Sequence, residues 1–173
     1  MLENVQRIHL IGIGGIGVSA VARALHGLGF SIQGSDVRES AITLALRELG
    51  MTVTIGHGAD NLAGADLVVV STAIPKTNPE WIAADNAGIP VVHRAEILGA
   101  MMRLRRAYGV IGTHGKGTVT SMLTWILKEH GADPAYMIGA MCHNLESNAH
   151  VGEGPWAVEV DESDGSLVHT TPE

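Results

Sequence analysis

The sequence predicts an α/β fold, in which an open, doubly wound, mostly parallel sheet is followed by the start of a second α/β unit. Two observations lead there. Short apolar runs of β character alternate with segments of helical periodicity, and the links between them are short. The order strand, glycine loop, helix also occurs twice, first from Arg7 and again from Tyr108.

Each element has its own signal. RIHLIGI (7–13) is a β-rich run that ends in glycine. Val18, Val21, Leu25 and Leu28 then fall at helical spacing, and Gly29 closes that helix. A second short strand ends near Gln33, a helix follows around 40–50, and MTVTI (51–55) is the third strand. LVVVST (67–72) is a continuous apolar run, as expected of a strand covered on both faces. A helix at 78–87 leads to a strand around Val91 and a helix at 94–102. The basic stretch RLRR (103–106) marks a boundary, which places one domain at 1–104 and the next at 105–173. The second unit opens with the strand YGVIG (108–112) and a glycine loop. A helix follows in which Val119, Met122, Leu123, Ile126 and Leu127 make one apolar face. A strand at about 135–139, a loop rich in Asn, His and Gly, and the strand WAVEV (156–160) complete what can be read. Three strands and one clear helix cannot close a core, so the chain is expected to stop inside a domain.

Composition narrows the function classes. Apolar residues are 46% of the 173, while aromatics are three Trp, two Tyr and one Phe, so the core must be aliphatic. A formal charge of −7 argues against nucleic acid and anionic membranes as partners, so any phosphate ligand must be held by backbone amides and a few cations. Cys142 is the single cysteine, which excludes an internal disulfide and reads as a buried thiol. No leader pattern and no membrane-length apolar run is present, so a cytoplasmic location is expected.

Gly12-Ile13-Gly14-Gly15-Ile16-Gly17 matches G-x-G-x-x-G directly after a strand and at the opening of a helix. The first glycine permits the tight turn, the second lets backbone approach a diphosphate, and the third lets helix and strand pack closely. The helix N-terminus then offers free N–H groups to an anion. Asp36, at the end of the second strand, stands where an acidic residue commonly meets a nucleotide hydroxyl or base. NAD(P) is the usual ligand of such a loop, but no constellation for hydride transfer accompanies it.

Gly112-Thr113-His114-Gly115-Lys116-Gly117-Thr118 is a second loop between strand and helix. Its amides can cradle a triphosphate while Lys116 neutralises the phosphates. It departs twice from G-x-x-x-x-G-K-[ST], with Val110 at the first glycine and Gly117 at the hydroxyl position, so that Thr118 is the first hydroxyl after the lysine. Glu159, Asp161, Glu162 and Asp164 crowd the end of WAVEV. Alternation puts Glu159 and Asp161 on one face, opposite Val158 and Val160. Carboxylates beside a phosphate loop are the hard oxygen ligands that Mg²⁺ prefers.

Together these stretches resemble the Mur ligase family, in its alanine-adding branch. The matching segments are IHLIGIGGIGVSAVA (8–22), GSD (34–36), IGHGADNL (55–62), VVVSTAIPKTNPE (68–80), IPVVHRAEIL (89–98), GTHGKGTVTSML (112–123) and VEVDESDGS (158–166). The resemblance implies a Rossmann-like domain that holds UDP-N-acetylmuramate, followed by the incomplete start of a P-loop ATPase domain that binds ATP and Mg²⁺. It implies that the sugar carboxylate is activated as an acyl phosphate and joined to L-alanine. By the same resemblance, Gly12, Gly14, Gly15, Ile16 and Gly17 would take the diphosphate, Asp36 and His57 would lie near the uridine, and Ser71, Thr72 and Ala73 would line the approach to the sugar. Gly112 to Thr118 would hold ATP, with Lys116 on its phosphates. Glu159, with Thr118 as a further ligand, would hold the metal, and Lys116 and Glu159 would be the catalytic pair. His93, Arg94 and Glu96 match a family motif without an assigned role. Relatives usually carry Thr where this chain has Gly117, and they continue well beyond the last residue, so the chain is expected to be inactive alone. Three other readings stand beside this one: a ligase that recycles murein tripeptide, a UDP-sugar-binding module without catalysis, and an NAD(P)-dependent oxidoreductase.

Overall fold

The computed structural model describes residues 2–161. The chain divides into two compact units, Met1–Arg94 and Ala95–Glu173, upstream of the basic stretch that marks the boundary in the sequence.

The first unit runs β1 (Arg7–Ile11), α1 (Ile16–Gly27), β2 (Ser31–Asp36), α2 (Ala41–Glu48), β3 (Thr52–Ile55), a 3₁₀ turn (Ala59–Leu62), β4 (Leu67–Val70), α3 (Pro79–Asn86) and β5 (Val91–His93). The five strands are all parallel, in the order β3-β2-β1-β4-β5. The order reverses between β1 and β4, and a crevice opens beyond the carboxyl ends of strands at such a point. Aliphatic side chains fill the core: Ile8, Leu10, Ile11, Leu25, Leu46, Val68 and Val69 are all fully buried. Each contributes on the order of 1.5–3 kcal/mol by leaving water. On the face covered by α3, Ile11, Val68 and Val70 pack with Ala84. His9 shares that face by strand alternation, and it is a buried polar residue there.

β2 extends to Asp36, beyond the end read at Gln33, because Ser35 and Asp36 pair with Thr54 and Ile55. Gly34 hides this in the sequence, since glycine weakens a strand pattern. A Cβ at Gly34 would meet the Leu10 carbonyl at 2.6 Å, so close packing excludes other residues there.

The second unit holds most of α4 (Arg94–Met102), then β6 (Ala107–Val110), α5 (Lys116–Glu129), β7 (Ala135–Cys142), a 3₁₀ turn (His143–Leu145), β8 (Ser147–His150) and β9 (Trp156–Glu159). Its sheet has the order β6-β9-β7-β8, in which β6, β9 and β7 are parallel and β8 is antiparallel to β7. β8 lies in what reads as a loop, because Ser147, Asn148 and His150 have little strand character and the pairing to β7 is irregular. β7 likewise runs past residue 139 to Cys142.

The apolar face expected on α5 is divided. Thr120 and Thr124 are buried, with Leu123 and Leu127 half-buried alongside, whereas Val119, Met122 and Ile126 are exposed. Threonine can be buried because its hydroxyl bonds back within the helix: Thr120 Oγ1 donates to the Lys116 carbonyl and Thr124 Oγ1 to the Thr120 carbonyl, each at 2.8 Å. Met122, Trp125 and Ile126 instead line an apolar concavity with Cys142 and Asn144. Cys142 is half-buried rather than sealed. No helix among the described residues is long and apolar enough to cross a membrane.

Candidate functional sites in the two units

In the first unit the glycine loop follows β1 at the reversal of strand order. Gly12 has φ +76°, a left-handed conformation that side chains disfavour, and makes the turn. The Ser35 carbonyl accepts from the Gly12 and Ile13 N–H groups at 2.8 and 3.0 Å. The Asp36 carboxylate accepts from the Gly14 N–H at 2.8 Å. Asp36, read from sequence as a nucleotide contact, therefore engages the loop itself. A Cβ at Gly14 would meet Asp36 Oδ2 at 2.8 Å and Thr43 Cγ2 at 3.0 Å, so the end of β2 and the start of α2 close around the second glycine. The Ser40 and Thr43 capping box sets the start of α2 there.

The third glycine has a different reason from the one its motif suggests. A Cβ at Gly17 would lie 2.6 Å from Arg94 Nη1, so the space kept open is filled by a guanidinium and not by the sheet. Arg94, which carried no role from the sequence, thus stands against the first turn of α1. No side chain caps that helix, whose N-cap is Gly15. The turn at Ser71–Ile74 follows β4, and Ile74 Cδ1 lies 3.2 Å from where a Gly12 Cβ would be. Thr72 and Ala73 are exposed on this turn, and Ser71 is half-buried.

His57 follows β3 and is tied inward, with Nδ1 2.9 Å from Ser35 Oγ. Behind it lies Glu80, fully buried, which the sequence shows only as the end of the segment VVVSTAIPKTNPE. Asn78 caps α3 by accepting from the Glu80 N–H at 2.9 Å, with Pro79 at the first position. Burial works to raise the Glu80 pKa, but hydrogen bonds from His9, Ser35 and Asn61, together with the charge of His9, outweigh it and bring it down to about 2.

In the second unit the loop at 112–118 joins β6 to α5. Gly115, with φ +77°, is the N-cap of α5, and no side chain caps this helix either. Its first-turn N–H groups face the loop, as an anion site requires. Lys116 Nζ donates to the Gly112 carbonyl at 2.8 Å, so the lysine arches over the loop. Thr113, His114 and Thr118 are exposed. Glu159 ends β9 beside this loop. Its Oε2 accepts from the Gly139 N–H at 2.7 Å and lies 3.3 Å from where a Gly117 Cβ would be. The residue that lacks a hydroxyl is thus the one that faces the carboxylate. Gly139, which carries no sequence signal, clamps Glu159: a Cβ there would sit 3.0 Å from Oε2. Asp161 is half-buried, and Glu162 and Asp164 lie outside the described residues.

A carboxylate fixed by backbone, next to a phosphate loop, suits Mg²⁺, which keeps waters and phosphate oxygens in its shell. No group of three or more His, Cys, Asp or Glu side chains arranged to hold a metal ion is found among the described residues. An ion here would accordingly rely on Glu159, nucleotide phosphates and water.

The sequence model described as "Mur ligase family, catalytic domain" matches residues 7–106. UDP-N-acetylmuramate–L-alanine ligase of Trichlorobacter lovleyi is 47% identical over 173 residues, covering 99% of this chain and 38% of the relative. The ligase of the same name from Bradyrhizobium is 50% identical over 162 residues, covering 93% of this chain and 35% of the relative. The crystal structure of UDP-N-acetylmuramate-alanine ligase from Thermotoga maritima superposes with a TM-score of 0.89 at 34% identity, over 96% of this chain and 39% of that one. A Neisseria ligase of UDP-N-acetylmuramate and L-alanyl-γ-D-glutamyl-meso-diaminopimelate also reaches 0.89, at 28% identity, over 97% of this chain and 58% of that one. The chain spans about 38% of the length of the Trichlorobacter relative. On the match of the family model across 7–106, the chain belongs to the Mur ligase family.

Proposed function

We propose that the chain supplies the nucleotide-sugar site and the phosphate loop of an ATP-dependent amide ligase that joins L-alanine to the carboxylate of UDP-N-acetylmuramate in peptidoglycan synthesis. The observation that carries this reading is the approach of Glu159 to the phosphate loop at Gly117, in a chain that also holds a second, separate anion loop at Gly12–Gly17. Two anion loops suit an enzyme with two phosphorylated substrates.

On this reading, residues 1–104 hold the nucleotide sugar and 105–173 begin the ATP-binding domain. The amides of Gly14 to Gly17 meet the diphosphate, and Arg94 brings the positive charge that an acidic chain must place locally. Asp36 and His57 meet the nucleoside, and Ser71, Thr72 and Ala73 the sugar side. Gly112 to Thr118 take the triphosphate, and Lys116 leaves the Gly112 carbonyl for its oxygens. Glu159 would hold Mg²⁺, with Thr118 as an additional ligand. ATP supplies the phosphoryl group that turns the sugar carboxylate into a leaving-group-bearing acyl phosphate. The protein's own part is to position the reactants and neutralise charge.

The reading is tested at two levels. Calorimetric titration of the chain should show binding of UDP-N-acetylmuramate and none of NADH; the reverse result overturns it. In a polypeptide extended to the relatives' length, phosphate release from ATP should require both UDP-N-acetylmuramate and an amine. The superposition on the Neisseria ligase makes the tripeptide the second amine to test. Faster turnover with tripeptide than with L-alanine would transfer the chain to that activity.

A further inference from the structure

Glu80 receives four hydrogen bonds, two on each oxygen. Oε2 takes His9 Nε2 at 3.0 Å and Ser35 Oγ at 2.5 Å, and Oε1 takes Asn61 Nδ2 at 2.6 Å and the Gly58 N–H at 3.2 Å. The amide and backbone partners can only donate, and a carboxylate so surrounded is acceptor-only. The Ser35 hydroxyl therefore directs its one hydrogen at Glu80. Only lone pairs remain on Ser35 Oγ, so its second neighbour, His57 Nδ1 at 2.9 Å, must be an N–H donor. The Glu80 charge, 3.6 Å from the same nitrogen, favours a proton there. In a neutral imidazole, a proton on Nδ1 leaves Nε2 as a bare acceptor. His57 Nε2 makes no hydrogen bond among the described residues and is not among the buried polar atoms that lack one, so it reaches solvent.

We propose that Glu80 and Ser35 are positioning residues that lock His57 in its Nδ1–H tautomer, so that Nε2 accepts a hydrogen bond from the nucleoside end of the bound nucleotide sugar. This rests on the reading of the first unit as a UDP-sugar site. His57 follows β3, two strands out from β1 and its glycine loop. Two strand spacings are roughly 10 Å, about the reach from a diphosphate to the far side of its nucleoside. The donors found there are the uracil imide N–H and the ribose hydroxyls. Cytosine carries a lone pair where uracil carries that N–H, so an Nε2 acceptor selects between them.

The test has a spectroscopic arm and a binding arm. Nitrogen-15 NMR of the histidine-labelled chain, at a pH where His57 is neutral, should show the proton on Nδ1 in the wild type and its shift toward Nε2 in Ser35→Ala. Titration should show UDP bound about tenfold more tightly than CDP, a preference largely lost in Ser35→Ala, as one neutral hydrogen bond allows. If the preference that disappears is instead for UDP over 2′-deoxy-UDP, the donor is a ribose hydroxyl and the proposal stands. A wild-type His57 protonated on Nε2, with uridine nucleotides bound, overturns the relay while leaving the UDP-sugar reading intact. A Ser35→Ala variant that binds and discriminates as the wild type does overturns the contact. An Nδ1–H tautomer in a chain that binds no uridine nucleotide overturns the UDP-sugar reading and the role assigned to Nε2. The wild-type spectrum decides the tautomer even if Ser35→Ala fails to fold.

Discussion

The Asp36 carboxylate and the Gly14 N–H are joined by a 2.8 Å hydrogen bond, so the tip of β2 reads the conformation of the glycine loop directly. The preceding carbonyl, of Ser35, holds the first half of the same loop. A diphosphate at these amides must share them with a carboxylate, and the loop has no spare room on that side.

Gly14 is for that reason the most sensitive position of the first site. Gly14→Ala puts a Cβ 2.8 Å from Asp36 Oδ2 and should displace that carboxylate from the loop. The expected loss of UDP-N-acetylmuramate affinity is about tenfold, roughly that of one charge-assisted hydrogen bond. Gly14→Val should abolish binding. Calorimetry on folded variants checks this, and wild-type affinity in Gly14→Val would remove the loop from the site.

Arg94 is expected to serve the diphosphate and not the nucleoside. Arg94→Ala should weaken UDP-N-acetylmuramate by about tenfold at low salt, and by less as screening grows. Uridine, which lacks phosphate, should bind as before. Gly17→Ala should resemble Arg94→Ala, since its Cβ would sit 2.6 Å from Nη1. Equal weakening of uridine and the nucleotide sugar would point to a general collapse of the site instead.

The phosphate loop gives an asymmetric pair of substitutions. A threonine at 117 starts 3.3 Å from Glu159 Oε2, within reach of a cation held by that carboxylate. In a polypeptide of the relatives' length, Gly117→Thr should keep or raise Mg²⁺-dependent ATP turnover. Lys116→Ala should lose it by about a hundredfold or more, the scale for removal of one preorganised charge. Loss of turnover in a folded Gly117→Thr protein would show that the loop needs glycine for a reason other than the metal.

Glu80 should register in acid stability. Its folded pKa of about 2 lies below the ordinary 4.5, so its contribution is complete above pH 4.5 and disappears as the pH falls toward 2. At roughly 1.4 kcal/mol per unit, the difference is on the order of 3 kcal/mol. Wild type minus Glu80→Gln, measured by denaturant unfolding across that window, should shrink as the pH falls. A difference that does not change with pH would mean that Glu80 acts through packing alone.

Local pattern determined the elements of this chain. The alternation of β-rich runs with helical periods placed the strands of the first sheet, and the two glycine loops after Ile11 and Val110 located the candidate anion sites, because turns, caps and amphipathic repeats are relations between near neighbours in sequence. Tertiary structure alone decided which partners meet. Arg94 against Gly17, Ser35 between His57 and Glu80, and Gly139 clamping Glu159 join residues that no periodicity relates. The same holds for α5, where an apolar pattern marked Val119, Met122 and Ile126 as inward, yet the sheet took Thr120 and Thr124. A threonine whose hydroxyl is satisfied within its own helix can be buried at little cost, so the sequence could not say which stripe would face the strands. β8 was hidden for a similar reason: backbone pairing with β7 recruits Ser147, Asn148 and His150 into the sheet, and that pairing depends on the neighbouring strand more than on their own propensity.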